Sequence, residues 1–187
     1  FGFDHDGRSG AAGMELGGSV AFLMGIGQGP VDWTPLHAAN AFATLARMGI
    51  HLKPRLYLEQ DAPDTRPSGM ARTAIAHALA GLDRVTNDPQ HGTAHAIRFA
   101  SGRRDPSSNV PGATVIGKTG TATVQLRSDV GACVNRDLAW MVGLVGPEGR
   151  PPMFAVAVLR EQGGSGGRAA GGLLNQVVHA LRVEGYL

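Results

Sequence analysis

The sequence predicts an α+β fold in which helices come first, an antiparallel sheet follows, and a last helix closes the chain. Three observations carry that expectation. Apolar residues recur at helical spacing in two stretches before residue 90 and in one after residue 170. Between residues 113 and 159 the pattern changes to β-branched, contiguous apolar segments. The last two of these, 139–145 and 154–159, are joined by a short link at 146–152 rich in turn residues, which favours an antiparallel hairpin.

The elements follow in order. Residues 1–30 are Gly-rich and irregular, ending in Gly25-Ile26-Gly27-Gln28-Gly29-Pro30. A first helix then starts cleanly, with Thr34 as N-cap and Pro35 at the first helical position. Leu36, Ala39, Ala43 and Ala46 form its apolar stripe, widened by Phe42 and Leu45, and Gly49 sits where a C′ glycine would stop it. A loop marked by Pro54, Pro63 and Pro67 leads to a second helix carrying Ile75, Leu79, Leu82 and Val85. Residues 86–112 are polar, contain Pro89, Pro106 and Pro111, and read as a long connection. Residues 114–116 and 121–124 are strand formers on either side of glycine, and the final helix presents Leu173, Leu174, Val177, Val178 and Leu181 on one face.

Composition narrows the function. The chain has 187 residues, 43% hydrophobic and 17% charged, enough for one domain with a core. No apolar run reaches the roughly 18 residues that span a bilayer. Net charge is +2, and the basic residues are scattered rather than gathered into a patch, which argues against nucleic acid as a partner. Cys133 is the lone cysteine, so no intrachain disulfide or multi-cysteine zinc site can form, and with no base beside it the thiol reads as inert. Asp4, His5 and Asp6, like His91 and His95, lack the surrounding ligand spacing of a metal site. Gly25, Gly27 and Gly29 are followed by Pro30 where a dinucleotide loop would open a helix. Gly163 to Gly167 reads as a strand-to-helix turn, and Trp33 and Trp140 as packing residues. No metal or cofactor is expected.

Lys118 belongs to two motifs at once, and Lys53 is the only other lysine. Gly112-Ala113-Thr114-Val115-Ile116-Gly117-Lys118-Thr119 fits the phosphate-binding P-loop pattern. Lys118-Thr119-Gly120-Thr121 fits the lysine-threonine-glycine motif of penicillin-binding enzymes. A P-loop needs a strand before its first glycine and a helix starting at the lysine. Ser107-Ser108-Asn109-Val110-Pro111 makes a poor strand, and Gly120, Thr121, Thr123 and Val124 make a poor helix. The second motif instead wants an edge strand along a cleft, with Lys118, Gly120 and Ala122 on one side and Thr119, Thr121 and Thr123 on the other. The balance falls to the strand, with a P-loop NTPase as the remote alternative.

The context resembles the C-terminal half of a penicillin-binding protein transpeptidase domain of the class B type, almost from end to end. Phe1-Gly2-Phe3 with its Gly-rich continuation is similar to the segment following that family's second active-site motif. Ile26-Gly27-Gln28-Gly29 and the helix opened by Thr34-Pro35-Leu36 are similar to its Gly-Gln-Gly and Thr-Pro-Leu elements. His91-Gly92-Thr93-Ala94 resembles its Gly-Gly-Thr-Ala element, 115–122 its signature strand, Ala139-Trp140-Met141-Val142-Gly143 the strand behind it, and 163–172 the entry to its closing helix.

The resemblance implies serine acyl transfer on D-Ala-D-Ala stem peptides of peptidoglycan, and reaction with β-lactams. By it, Lys118 sets the electrostatics of the cleft and hydrogen-bonds toward the serine of a Ser-x-Asn motif. Thr119 and Thr121, with Gly120 between them, bind the substrate carboxylate, and the Thr121 backbone N–H is one of two oxyanion donors. It also implies a place in the bacterial cell envelope, outside the inner membrane, with membrane attachment through an N-terminal anchor. No Ser-x-x-Lys occurs, since Ile50 and Val115 stand three residues before the two lysines, and Ser107-Ser108-Asn109 lies too close to Lys118 to be the family's Ser-x-Asn. The expectation is therefore a partial transpeptidase domain over 1–187, with a Gly-rich and helical part at 1–112 and the strand, hairpin and closing helix at 113–187. The nucleophile, and the upstream half as partner, would lie elsewhere in a longer protein. The rival readings are a non-catalytic cell-wall-binding or scaffold module, and a β-lactam sensor or β-lactamase relative.

Overall fold

The computed structural model describes residue 22 and residues 33–98, 101–102, 104–106, 110–127 and 133–187. The expectations placed on Phe1 to Phe3, on Asp4, His5 and Asp6, on Gly25 to Pro30 and on Ser107 to Asn109 fall outside these residues.

The first helix, α1, runs Pro35–Ala46. The Thr34 hydroxyl accepts from the His37 amide, and the His37 ring reaches back to the Thr34 amide, closing a capping box at the predicted start. Its end differs from expectation. Arg47 is the C-cap, Met48 takes the left-handed conformation at φ 54°, and Gly49 follows at φ 92°. Gly49 thus stands one residue past the C′ position expected of it, and it must be glycine both for its positive φ and because a Cβ there would lie 2.9 Å from Ile75 Cδ1. The predicted stripe is also displaced: Leu36 is exposed, while Ala38 and Thr44 are the buried positions. Thr44 is tolerated inside because its hydroxyl donates to the Asn40 carbonyl.

The Pro-marked stretch is more ordered than predicted, since β1 (Ile50–Leu52) and β2 (Thr65–Pro67) pair antiparallel. Helix α2 runs Arg72–Asn87 and buries Ile75. The polar connection after it holds a second small hairpin, β3 (Ala96–Arg98) with β4 (Arg104–Pro106). Both ribbons are only 3 residues a side, too short to show a strand period in sequence.

The main sheet has the order β5-β6-β7, all antiparallel. Strands β5 (Ala113–Arg127) and β6 (Cys133–Pro147) each run 15 residues, and β7 spans Phe154–Glu161. The register passes from Ala113 opposite Pro147, through Gly117 opposite Gly143, to Arg127 opposite Cys133. Helix α3, Gly166–Val183, closes the chain.

One face of the sheet carries Val115, Ala139, Met141 and Val145, which pack against Ala170, Leu174 and Val178 of α3. Spacing of four residues puts these three on one helix face, so the stripe runs through Ala170 rather than through Val177, which is 40% exposed. Leu174 lies over Gly143 and beside Val115: a Cβ on Gly143 would meet Leu174 Cδ1 at 3.1 Å and Val115 Cγ1 at 3.2 Å. Val142 and Leu144 are buried on the opposite face, and α1 packs against β6 and β7. The sheet is therefore covered by helices, as the sequence predicts.

Candidate functional site

Among the described residues strand β5 is an edge of the main sheet, and it divides into a held part and an open part. Thr86, at the end of α2, is buried, and its hydroxyl donates to the Val115 carbonyl at 2.8 Å. The Asn87 side-chain amide donates to the same oxygen at 3.3 Å. That carbonyl therefore points away from β6. In an antiparallel ladder the outward groups recur at every second residue, so the amides and carbonyls of Gly117, Thr119 and Thr121 face the same edge. The Lys118 ammonium donating to the Thr119 carbonyl agrees with this.

Side chains alternate as the strand period requires. Lys118 is exposed on one side of β5, and Thr119, Thr121 and Thr123 lie on the other. Their hydroxyls make three different contacts. Thr119 Oγ1 lies 3.0 Å from Thr93 Oγ1, on the loop after α2. Thr121 Oγ1 accepts from the Gly166 amide at 3.1 Å. Thr123 donates to the Asp137 carboxylate directly opposite it on β6.

The Gly166 contact brings the N-terminus of α3, with its partial positive charge, against the strand beside Lys118. Only glycine permits this approach, because a Cβ on Gly166 would lie within contact-breaking distance of the Gly120 carbonyl and 2.8 Å from the Trp140 carbonyl. A Cβ on Gly167 would lie 2.8 Å from the Thr93 carbonyl. The glycine run read from sequence as a strand-to-helix turn is thus a close-packing element of the site. Gly120 has a matching role on the other face, where a Cβ would press on Trp140 Cβ at 3.2 Å.

Lys118, Thr119, Gly120 and Thr121 all lie on this one strand segment. The P-loop reading fails, because residues 113–127 form one continuous strand and no helix opens at Lys118. Cys133 begins β6. His95 Nδ1 bonds with the Thr86 carbonyl and His91 pairs with Asp88, so each histidine has a structural partner. Among the described residues no group of three or more metal-ligating side chains gathers. A hollow of about 450 Å3 lined by Asn135, Arg136, Asp137, Gln162 and Gly164 opens beyond Thr123, and its lining includes none of Lys118, Thr119 or Thr121.

Sequence reasoning missed Thr86. Its signal was present, since it continues the Ile75, Leu79, Leu82 face of α2 one turn further as a polar residue in an apolar series.

A helix-covered antiparallel sheet with an exposed lysine on its edge strand is the fold class the sequence resemblance implies, that of the transpeptidase and β-lactamase-like domains. The chain belongs to the penicillin-binding protein transpeptidase domain family, which matches residues 1–179. Its fold is similar to that of the transpeptidase domain of Burkholderia pseudomallei penicillin-binding protein 3 in its apo form (TM-score 0.57, 24% identity, 82% of this chain and 43% of that one). It is also similar to penicillin-binding protein 3 from M. tuberculosis complexed with aztreonam (TM-score 0.62, 20% identity, 89% and 38%). A third is M. tuberculosis penicillin-binding protein A as an imipenem acyl-enzyme complex (TM-score 0.56, 23% identity, 86% and 33%). The chain thus spans less than half the length of these structures. No curated protein matches it.

Proposed function

We propose that this chain forms one wall of a serine D,D-transpeptidase active site that acts on D-Ala-D-Ala stem peptides of peptidoglycan and is acylated by β-lactams. The observation that carries the reading is the edge segment Lys118 to Thr121, with its lysine exposed, its alternate backbone groups turned outward and the α3 N-terminus packed beside Thr121. Family membership supports the reaction class, and the antibiotic complexes of the two M. tuberculosis proteins support β-lactams as ligands.

In this reading Lys118 draws the anionic end of the peptide into the groove and stabilises proton movement at the facing wall. Thr119 and Thr121 hydroxyls bind the substrate carboxylate, with Gly120 keeping the strand flat enough for the peptide backbone to lie against it. The Thr121 N–H is one oxyanion donor, positioned for the charge that builds on the carbonyl oxygen as serine attacks; such a donor contributes about 3–4 kcal/mol of transition-state stabilisation. No Ser-x-x-Lys occurs in the 187 residues, so the attacking serine comes from outside them. The family's place, the extracytoplasmic side of a bacterial membrane, is proposed for the protein. No helix among the described residues is long and apolar enough to cross that membrane.

Two measurements on the purified chain test this. Incubation with a fluorescent penicillin is expected to leave it unlabelled, and covalent labelling would overturn the placement of the nucleophile. Titration with diacetyl-L-Lys-D-Ala-D-Ala, followed by amide NMR, is expected to shift residues 118–121. Lys118→Ala should abolish those shifts while leaving the melting temperature unchanged, as an exposed side chain predicts. A wild-type titration without shifts on β5 would refute the reading.

A further inference from the structure

We propose that Thr93 is a substrate-contacting residue of this site, its hydroxyl joining that of Thr119 in a two-hydroxyl clasp for the carboxylate of a peptide lying along β5. The proposal rests on the reading above for the identity of the ligand and adds a residue from a different part of the chain.

The two oxygens lie 3.0 Å apart although 26 residues separate them in sequence. The Thr93 turn is held from several directions. The Gly92 amide donates to the Asp88 carbonyl and the Ala94 amide to the Val85 carbonyl, each at 2.9 Å. The Asp88 carboxylate accepts from the amides of Gln90 and His91, which hold it below its ordinary carboxylate pKa, the His91 bond contributing most. Gly92 has no room for a side chain, since a Cβ would lie 2.5 Å from the Asp88 carbonyl, and Ala94 is buried in the main core. On its other side the Thr93 carbonyl rests against Gly167 of α3. Between these fixed points Thr93 itself is exposed, on the same face of the edge strand as Thr119 and Thr121.

Two hydroxyls that bond to each other consume one O–H between them. The second O–H remains as a donor, held within a hydrogen-bond length of its partner, and the pair keeps acceptor lone pairs for a carbonyl or amide. A carboxylate oxygen is the complement of that spare donor, and a hydrogen bond to a charged acceptor is worth more than one to a neutral group.

The test is the NMR titration of the full chain in isosteric variants. Thr93→Val should weaken binding of diacetyl-L-Lys-D-Ala-D-Ala by about tenfold, the loss of one hydrogen bond to a charged group. Thr93→Ser should restore it, and the C-terminal amide of the same peptide should bind wild type and Thr93→Val alike. If wild type binds and Lys118→Ala does not, while Thr93→Val binds as wild type does, the clasp is refuted and the transpeptidase reading stands. If Thr93→Val weakens the acid and the amide peptide equally, Thr93 acts on the shape of the loop and the clasp is again refuted. If wild type itself fails to bind, both proposals fall.

Discussion

The two ends of the segment 113–123 share one strand and one ladder, yet they live in different surroundings. Val115 is 2% exposed, lies against Leu174, and has its carbonyl bound by Thr86 and Asn87. Lys118, Thr121 and Thr123, three to eight residues later, are exposed, and their contacts are hydroxyl, amide and carboxylate bonds rather than buried apolar surface. The position of the strand is set where it is covered, and the proposed site lies where it is open. A site on an edge strand can therefore be held rigidly without burying its own side chains, which must stay accessible to a ligand.

The largest way to break this contrast is to loosen the covered end. Leu174→Ala is expected to cost about 2–5 kcal/mol, because a fully buried side chain over Gly143 and beside Val115 is lost. Urea unfolding should show a lower midpoint with an unchanged slope. Next is Gly166→Ala, which inserts a methyl against the Gly120 carbonyl. Overpacking should make the variant less stable by about 1–3 kcal/mol. Gly81→Ala in α2, where a Cβ meets nothing within 4 Å, is the control and should raise stability. In spectra, Gly166→Ala should displace the Gly120 and Thr121 amides further than the Val115 amide.

A smaller effect is expected for Thr86→Val, about 1–2 kcal/mol, since the Val115 carbonyl loses its better donor while Asn87 remains. Thr86→Ser should recover most of it. The smallest concerns acid. The lowered pKa of Asp88 means that its native bonds add stability above the unfolded carboxylate value, and that this is lost as pH falls through the native one. Melting curves between neutral and strongly acidic pH should steepen at the acid end in wild type and flatten there in Asp88→Asn.

Much of this architecture was legible in the residues. The capping pair Thr34 and Pro35, the apolar strands at 139–145 and 154–159 and the side alternation around Lys118 all rest on local chemistry, and the structure agrees with each. What escaped depends on partners distant in sequence. Thr86 finds Val115 across 29 residues, Thr93 finds Thr119 across 26, and the Gly166 amide finds Thr121 across 45. No periodicity encodes such meetings. The shifted stripe of α3 has the same origin, since the sheet residues that bury Ala170 and leave Val177 exposed lie far from both in sequence.

The seating of Gly166 against β5 has a mechanical consequence. Helix α3 is an 18-residue beam with one end seated against β5. Its other end runs out to exposed Val183 and Tyr186, and Leu187 folds back onto the core. Any load that tilts this beam at its outer end is delivered to β5 at Gly120 and Thr121, where Gly166 is seated against the strand.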